Sequence, residues 1–335
     1  MKILYLGNQL SKHGKSPTSI ETLGVFLKQE GYTMYYASDQ KKMWLRLLDM
    51  VFSVLKYRKQ LDFILIDTYS TAAFWYAFIG SQLARILNVN YIPILHGGDL
   101  PARLSKYPRL CQLIFKNAYL NVAPSNYLKH HFQLQGFENV EVIPNSIELA
   151  KYQYQKREFL KPNLLWVRSF AKIYNPQMAV TVLFELQKKY PNATLTMVGP
   201  EKDGSLAETQ KYARNKGVNV NFTGKLSLIE WTNLAKGCDI FINTTHFDNT
   251  PVSVIEAMAL GLPVVSTNVG GIPFLLKNEE NAILINDNQV DEMVNGIEKL
   301  LTEKEFSIQL QENAYQLVQA YNWKSVFLKW KNILK

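Results

Sequence analysis

Residues 248–271 read Asp-Asn-Thr-Pro-Val-Ser-Val-Ile-Glu-Ala-Met-Ala-Leu-Gly-Leu-Pro-Val-Val-Ser-Thr-Asn-Val-Gly-Gly. This run sets two carboxylates, Asp248 and Glu256, around the start of an apolar helix. Thr250 predicts an N-cap and Pro251 a first helical residue with fixed φ and no amide to waste. Gly261 suits the C′ position, and Pro263 forbids resumption. The expected helix has about ten residues and is roughly 15 Å long. Before it, Asp239–Thr244 is apolar and β-branched and reads as a buried strand feeding a polar loop that includes Asn249. The helix therefore opens at the carboxyl end of a strand. Amides around Thr250, Val252 and Ser253, with the positive end of the dipole, make that point a seat for a diphosphate. Glu256 shares a face with Val252 and Ser253 and leans back over the first turn. A carboxylate held there needs donors, and a ribose diol would supply two. Asp248 precedes the cap, where a sugar attached to the diphosphate would lie. The plainer alternative makes Asp248 and Thr250 capping residues only and Glu256 a satisfied structural acid.

The elements that position this run belong to an alternating chain. Its 335 residues suffice for two domains, and 47% hydrophobic with 19% charged residues describes globular protein. Strands are expected at Ile3–Leu6, Tyr32–Ala37, Phe63–Ile66, Tyr91–Leu95, Leu120–Ala123 and Val140–Ile143. A second set is expected near Leu164–Val167, Thr194–Val198, Val218–Phe222, Ile240–Asn243, Val264–Ser266 and Ile283–Leu284. Helical periodicity between them argues βαβ units, hence an α/β fold of two Rossmann-like, doubly wound parallel sheets. Polar, tyrosine-rich 146–161 reads as the linker, giving domains at 1–150 and 161–318 with a terminal segment at 319–335. Two such domains facing each other leave a cleft at the carboxyl ends of both sheets. Cys111 and Cys238 read as buried free thiols of a reducing cytoplasm. No signal peptide is visible, and the apolar window from Thr71 to Ala84 is too short to span a membrane.

The pattern resembles glycosyltransferase family 4, retaining enzymes of the GT-B architecture. That family's signature is a Glu, seven residues, then a second Glu followed by Ala-Met-Ala-x-Gly-x-Pro-Val-Val. Here the second acid is Glu256, and the tail runs from Ala257 to Val265. Asp248 stands for the first Glu, one methylene shorter, which keeps the charge and shortens the reach to the donor sugar. The resemblance covers nearly the whole chain and is specific from Phe241 to Pro273. It implies a first domain on the acceptor side, a second on the donor side, and a terminal helix, Asn322–Leu334, that crosses back to the first domain.

Further site residues follow from this resemblance. Arg168 ends the first strand of the second half, where the family has an arginine that clamps the diphosphate, and a guanidinium suits bidentate phosphate binding. Lys172 is the nearest match to the family's lysine, although Tyr174 and Asn175 compete for that position and Lys172 also reads as a solvated loop residue. Gly199-Pro200 and Thr223-Gly224-Lys225 match loops that line the nucleotide pocket, the second near the base. In the first half, His96-Gly97-Gly98-Asp99 follows an apolar strand, and the family often places a histidine here near the transferring sugar. The alternative is a histidine satisfied by backbone in a tight glycine turn. Ser125 and Asn145 match family landmarks, with Ser146 where a Gly is usual. The Gly14-Lys15-Ser16 loop after the first strand resembles the family's amide-rich loop with Ser16-Pro17 starting a helix. It is no P-loop, since Gly7 and Gly14 are separated by six residues rather than four.

No Asp-x-Asp pair or metal-ligand spacing occurs, so a metal-independent enzyme without a cofactor is expected. A net charge of +9 comes from scattered basic residues, and no nucleic-acid reader is present. One cluster, 41–60, has a polar stripe of Arg46, Asp49, Ser53 and Lys56 against apolar Trp44, Leu47, Leu48, Val51 and Leu55. It reads either as a helix lying on an anionic membrane or as a sheet-covering helix with basic ends. The expected function is transfer of a sugar from a nucleoside diphosphate sugar to a hydroxyl acceptor. The setting implied is surface polysaccharide or lipid-linked oligosaccharide synthesis, in the cytoplasm or peripherally on the inner face of the membrane. A nucleotide-sugar epimerase of this fold, a non-catalytic nucleotide-sugar binding protein and a membrane-surface adaptor are the alternatives.

Overall fold

The computed structural model describes residues 1–14, 18–97 and 99–335. The chain forms two compact units, Met1–Ser146 with Val326–Lys335, and Ile147–Ser325. In the first unit, β1 (Lys2–Leu6), β2 (Thr33–Ala37), β3 (Phe63–Tyr69), β4 (Asn90–His96), β5 (Asn121–Ala123) and β6 (Val140–Val142) form one parallel sheet in the order β2-β1-β3-β4-β5-β6. In the second, β7 (Asn163–Val167), β8 (Thr194–Val198), β9 (Asn221–Gly224), β10 (Ile240–Asn243), β11 (Val264–Thr267) and β12 (Ile283–Ile285) form another, in the order β12-β11-β10-β7-β8-β9. Helices cover both faces, so the strands read as continuous apolar runs. Strand order reverses between β1 and β3 in one sheet and between β7 and β10 in the other. Open α/β sheets bind ligands outside the carboxyl ends at these reversals.

Packing fixes the helix after β10. Val254, Ile255, Ala257 and Met258 are buried with Leu165, Phe241 and Val264. The helix spans Val252–Ala259, eight residues, with Pro251 at the N-cap in extended conformation. The expected Thr250 cap is therefore corrected: the chain stays extended through Pro251, and the helix starts one residue later. Its end follows expectation. Gly261 adopts φ 76°, the Gly261 amide donates to Met258 O, and the Leu262 amide donates to Ala257 O. Those paired bonds close the last turn as a Schellman motif.

Three further expectations change. β9 begins at Asn221 rather than Val218, because Val218 is spent on a helix end: its amide donates to Ala213 O beyond Gly217, which has φ 70°. The segment read as a linker is docked on the second unit. Arg157 is buried there, Nε donating to Cys238 O (2.9 Å), Nη1 to Leu260 O (2.9 Å) and Gln155 O (3.0 Å), and Nη2 to Ala235 O (3.0 Å). The third change is in the helix Met43–Tyr57, whose supposed polar stripe faces inward in part. Arg46 and Ser53 are buried, while Trp44 (59% exposed), Leu48 (57%), Phe52 (63%) and Leu55 face solvent. Arg46 can turn inward because Nη1 meets Asn8 Oδ1 (2.6 Å), Nε meets Gln40 O (2.9 Å) and Nη2 meets Lys41 O (2.9 Å).

The helix Trp323–Ile333 carries Val326 and Trp330 into the first unit, where both are buried. Cys111 and Cys238 are buried free thiols, and burial pushes each up to about 11. Replacing Arg157 with Ala removes the guanidinium donor to Cys238 O and one of the donors to each of Ala235 O and Leu260 O, which keep the Cys238 and Gln155 amides. Urea denaturation is expected to show a loss of about 3 kcal/mol or more.

Candidate functional site

At the reversal point of the second sheet, the loops after β7, β8 and β9 and the helix after β10 enclose an open cavity of about 300 Å³. Its walls include Arg168, Ser169, Tyr174, Gly199, Pro200, Lys225, Leu226, Trp231 and Ser253. Arg168 is the centre of this arrangement. Its guanidinium forms an ion pair with Asp248 and lies 4.6 Å from the ring centroid of Tyr174. Burial pulls its pKa down to about 10, and its Nε has no hydrogen-bond partner. The backbone holds it tightly: the Arg168 amide donates to Val198 O (3.0 Å) and the Gly199 amide to Gly224 O (2.8 Å). A Cβ at Gly199 would sit 1.7 Å from Arg168 O, so only glycine permits this approach.

Tyr174 reaches Arg168 because its segment is tied to the loop after β10. Thr244 Oγ1 donates to the Tyr174 and Asn175 carbonyls (both 2.9 Å), Thr245 Oγ1 to Ile173 O (3.1 Å), and the His246 amide to Ile173 O (2.8 Å). The same restraint carries Lys172 elsewhere. It is exposed, its amide donates to Asp203 Oδ2 (3.0 Å), and it lines a separate cavity with Asn175, Ser205 and Glu208. The cation beside Arg168 in this cavity is Lys225.

The helix opening has the expected bare amides. Val252 and Ser253 are its first residues, so their amides have no acceptor within the helix. Thr250 Oγ1 and Ser253 Oγ are buried without partners. Hydroxyls without a protein partner beside free amides have hydrogen-bonding capacity that water or a polar ligand can take up. The 248–249 loop is packed against Gly270-Gly271, since the Gly271 amide donates to Asp248 O (2.7 Å) and a Cβ there would meet Asn249 O at 1.9 Å. Four residues on from Val252, Glu256 Oε1 accepts from the Tyr152 hydroxyl at 2.5 Å. Burial raises the Glu256 pKa, and the tyrosine bond opposes that rise.

In the first unit, His96 ends β4, and its Nε2 lies 2.7 Å from Asp67 Oδ1. Tyr5 Oη donates to the same oxygen at 2.9 Å, and Tyr69 stacks on the imidazole at 4.8 Å. His96 is thus satisfied by a carboxylate rather than by backbone. Asn145 lines a cavity of about 190 Å³ with Thr18, Thr22, Pro144, Ser146 and Trp330. Ser125 caps the helix Asn126–Leu134, accepting from the Leu128 amide at 3.3 Å. Asp99 is exposed at the start of helix Leu100–Lys106, and Gly14 adopts φ 77° in an exposed loop. Lys15, Ser16, Pro17 and Gly98 lie outside the described residues. Of the donor-side residues, the cavity gathers Arg168, Gly199, Lys225 and Ser253. Thr223 instead turns its hydroxyl to Gly224 O (3.0 Å).

Residues 153–317 match the family model described as glycosyl transferases group 1. This region is similar to group 1 glycosyl transferases. Over 150 residues, the chain is 29% identical to an uncharacterized glycosyltransferase of Haemophilus influenzae, covering 44% of this chain and 42% of that protein. Over 200 residues it is 26% identical to the UDP-Gal:alpha-D-GlcNAc-diphosphoundecaprenol alpha-1,3-galactosyltransferase of Escherichia coli, covering 55% and 50%. The chain thus spans about half the length of these curated relatives. Among solved structures it is similar to HepE of Anabaena in complex with UDP, with a TM-score of 0.79 and 18% identity over 100% of this chain and 99% of that one. The fold is GT-B.

No local pattern in the sequence assigns a role to Tyr152 or Trp231. Tyr152 lies in the supposed linker, more than a hundred positions from its partner, and no local spacing reveals it. Trp231 follows a capping box, in which Ser227 accepts from the Glu230 amide, so helix placement after Lys225 was the available signal. For Glu256, the buried neutral form is favoured, so the ionised carboxylate costs stability above its folded pKa. Glu256→Gln is expected to melt at higher temperature than the parent at neutral pH, the gap closing as pH falls through that raised pKa. Calorimetric titration of the same variant should show nucleoside diphosphate binding lost.

Proposed function

We propose that this protein is a retaining glycosyltransferase, moving a hexose from a nucleoside diphosphate sugar to a hydroxyl acceptor without a metal ion. One observation carries the reading: a buried guanidinium, Lys225 and the bare start of a helix converge on one cavity at a sheet reversal. Arg168, Lys225 and the Val252 and Ser253 amides neutralise the diphosphate as the bond to the anomeric carbon breaks. Glu256, oriented by Tyr152, takes the ribose. Asp248 exchanges its bond to Arg168 for the hydroxyls of the donor sugar, and His96 positions that sugar. The acceptor oxygen attacks on the face the diphosphate leaves, and its proton passes to the departing phosphate oxygen. No side chain is asked to act as nucleophile.

The acceptor is a glycan or a lipid-linked saccharide, and the protein works peripherally on the inner membrane face. The outward stripe of Trp44, Leu48, Phe52 and Leu55 supports this, with Lys41, Lys42, Lys56, Arg58 and Lys59 exposed around it. Apolar side chains within a basic rim suit insertion among anionic headgroups, each cation contributing about 1 kcal/mol. Among the described residues, no helix is long and apolar enough to cross a membrane.

Titration with UDP, GDP, ADP and dTDP, each with and without EDTA, tests the donor site. Binding of one nucleotide unaffected by EDTA is expected, and silence from all four would remove the reading. Turnover of the matching donor sugar with retained anomeric configuration, read by proton coupling constants, is the second expectation; donor binding without turnover would leave a binding protein. For the membrane surface, flotation with vesicles containing anionic lipid should capture the protein, neutral vesicles should not, and Trp44→Ser with Phe52→Ser should abolish capture. Equal capture by neutral vesicles would count against the charge argument.

A further inference from the structure

At the reversal between β1 and β3, the first sheet carries a polar cluster that sugar transfer as outlined leaves half explained. Parallel register pairs Tyr5 with Leu65, Asp67 with Ile94, and Tyr69 with His96. Alternation along each strand therefore puts Tyr5, Asp67, Tyr69 and His96 on one face of the sheet. The other face, with Leu4, Leu6, Ile64 and Ile66, packs into apolar core. Asp67 is buried, its side chain 1% exposed. Its Oδ1 takes both hydrogen bonds, from Tyr5 Oη and His96 Nε2, while its Oδ2 is buried without a partner. Gly7 is what makes room for that oxygen: a Cβ on Gly7 would lie 2.6 Å from Oδ2.

A carboxylate is an expensive choice here if only shape is needed. An amide oxygen would accept the same two bonds, and its nitrogen could donate as well. What an ionised carboxylate does that an amide cannot is refuse to donate. A histidine's free nitrogen is defined by the bond its other nitrogen makes. We propose that Asp67 is a positioning residue: as an acceptor only, it keeps the proton on His96 Nε2 and leaves Nδ1 as the ring nitrogen offered to the transferring sugar. Tyr69, stacked on the ring, and Tyr5, sharing Oδ1, fix the ring plane. Burial and the Asp67 charge both raise the Tyr5 pKa, so its hydroxyl stays a donor to the carboxylate. This assignment rests on the role proposed above for His96, but the tautomer itself does not.

The test uses the full chain with ¹⁵N-labelled histidine, the His96 signals being assigned from their loss in His96→Gln. With no substrate present, the parent is expected to show Nε2 protonated. In Asp67→Asn the amide can donate, so a population with Nε2 unprotonated should appear. Turnover should fall at least tenfold while nucleoside diphosphate affinity stays within twofold, because the donor nucleotide is held by the other unit. Tyr5→Phe should keep the parent tautomer. An unprotonated Nε2 in the parent overturns the proposal, and this result needs no variant to fold. So does an Asp67→Asn protein with parental tautomer, or one with altered tautomer and parental turnover. A parent that turns over no donor defeats the transferase reading, while the nitrogen signals still decide what Asp67 does to the ring.

Discussion

Holding a guanidinium inside protein with little water is the constraint around which the second unit is arranged. Removing such a cation from solvent costs several kcal/mol unless charge and hydrogen-bond partners replace the water. Around Arg168 the replacements are an opposed carboxylate and an aromatic face, Asp248 and Tyr174. Each needs its own support. Tyr174 is delivered by hydroxyls and an amide of the loop after β10, and the Asp248 loop rests against two glycines. Gly199 has to lack a side chain so that the backbone beneath the cation can close. On the function proposed above, an anionic ligand takes the place of the carboxylate now paired with Arg168, so the site is charged and oriented before that ligand arrives.

Much of this was legible in the sequence because it depends on local chemistry. The twelve strands among the described residues fall where apolar, β-branched runs place them, with β9 shifted by a few residues. Gly261 and Pro263 end their helix as their φ preferences require. Misreadings arose where tertiary contacts override local preference. Thr250 has the right side chain for a cap, but Pro251 holds the chain extended one residue further. Lys172 has the right charge at nearly the right spacing, yet three hydrogen-bonding residues after β10 turn its neighbour Tyr174 toward Arg168. Tyr152 and Asp67 act on partners far away in sequence, and nothing in their immediate surroundings announces it.

The helix Met43–Tyr57 teaches the converse. Periodicity alone assigns its charged stripe to solvent, and a side chain that finds three hydrogen bonds and an aromatic neighbour does not need solvent. Arg46 lies 5.8 Å from the Tyr76 ring and is otherwise held by Asn8 and two carbonyls. Once that residue turns inward, the helix has two apolar stripes and only one interior to fill. Met50 and Val54 take the inside, so the tryptophan and phenylalanine are left out. Their exposure is the arithmetic result of burying an arginine.

The first unit is assembled from two pieces of chain separated by the whole of the second. Its last helix supplies Val326 and Trp330 to a core whose other parts end at Ser146. On the ribosome, about 180 residues must be made between those pieces, which at usual elongation rates takes roughly 10–40 s. Throughout that interval the early sheet waits with an open apolar seat, while the second unit has time to fold on its own. Translation order thus favours completing the second unit before the first, and it makes the nascent first unit a natural client for chaperones.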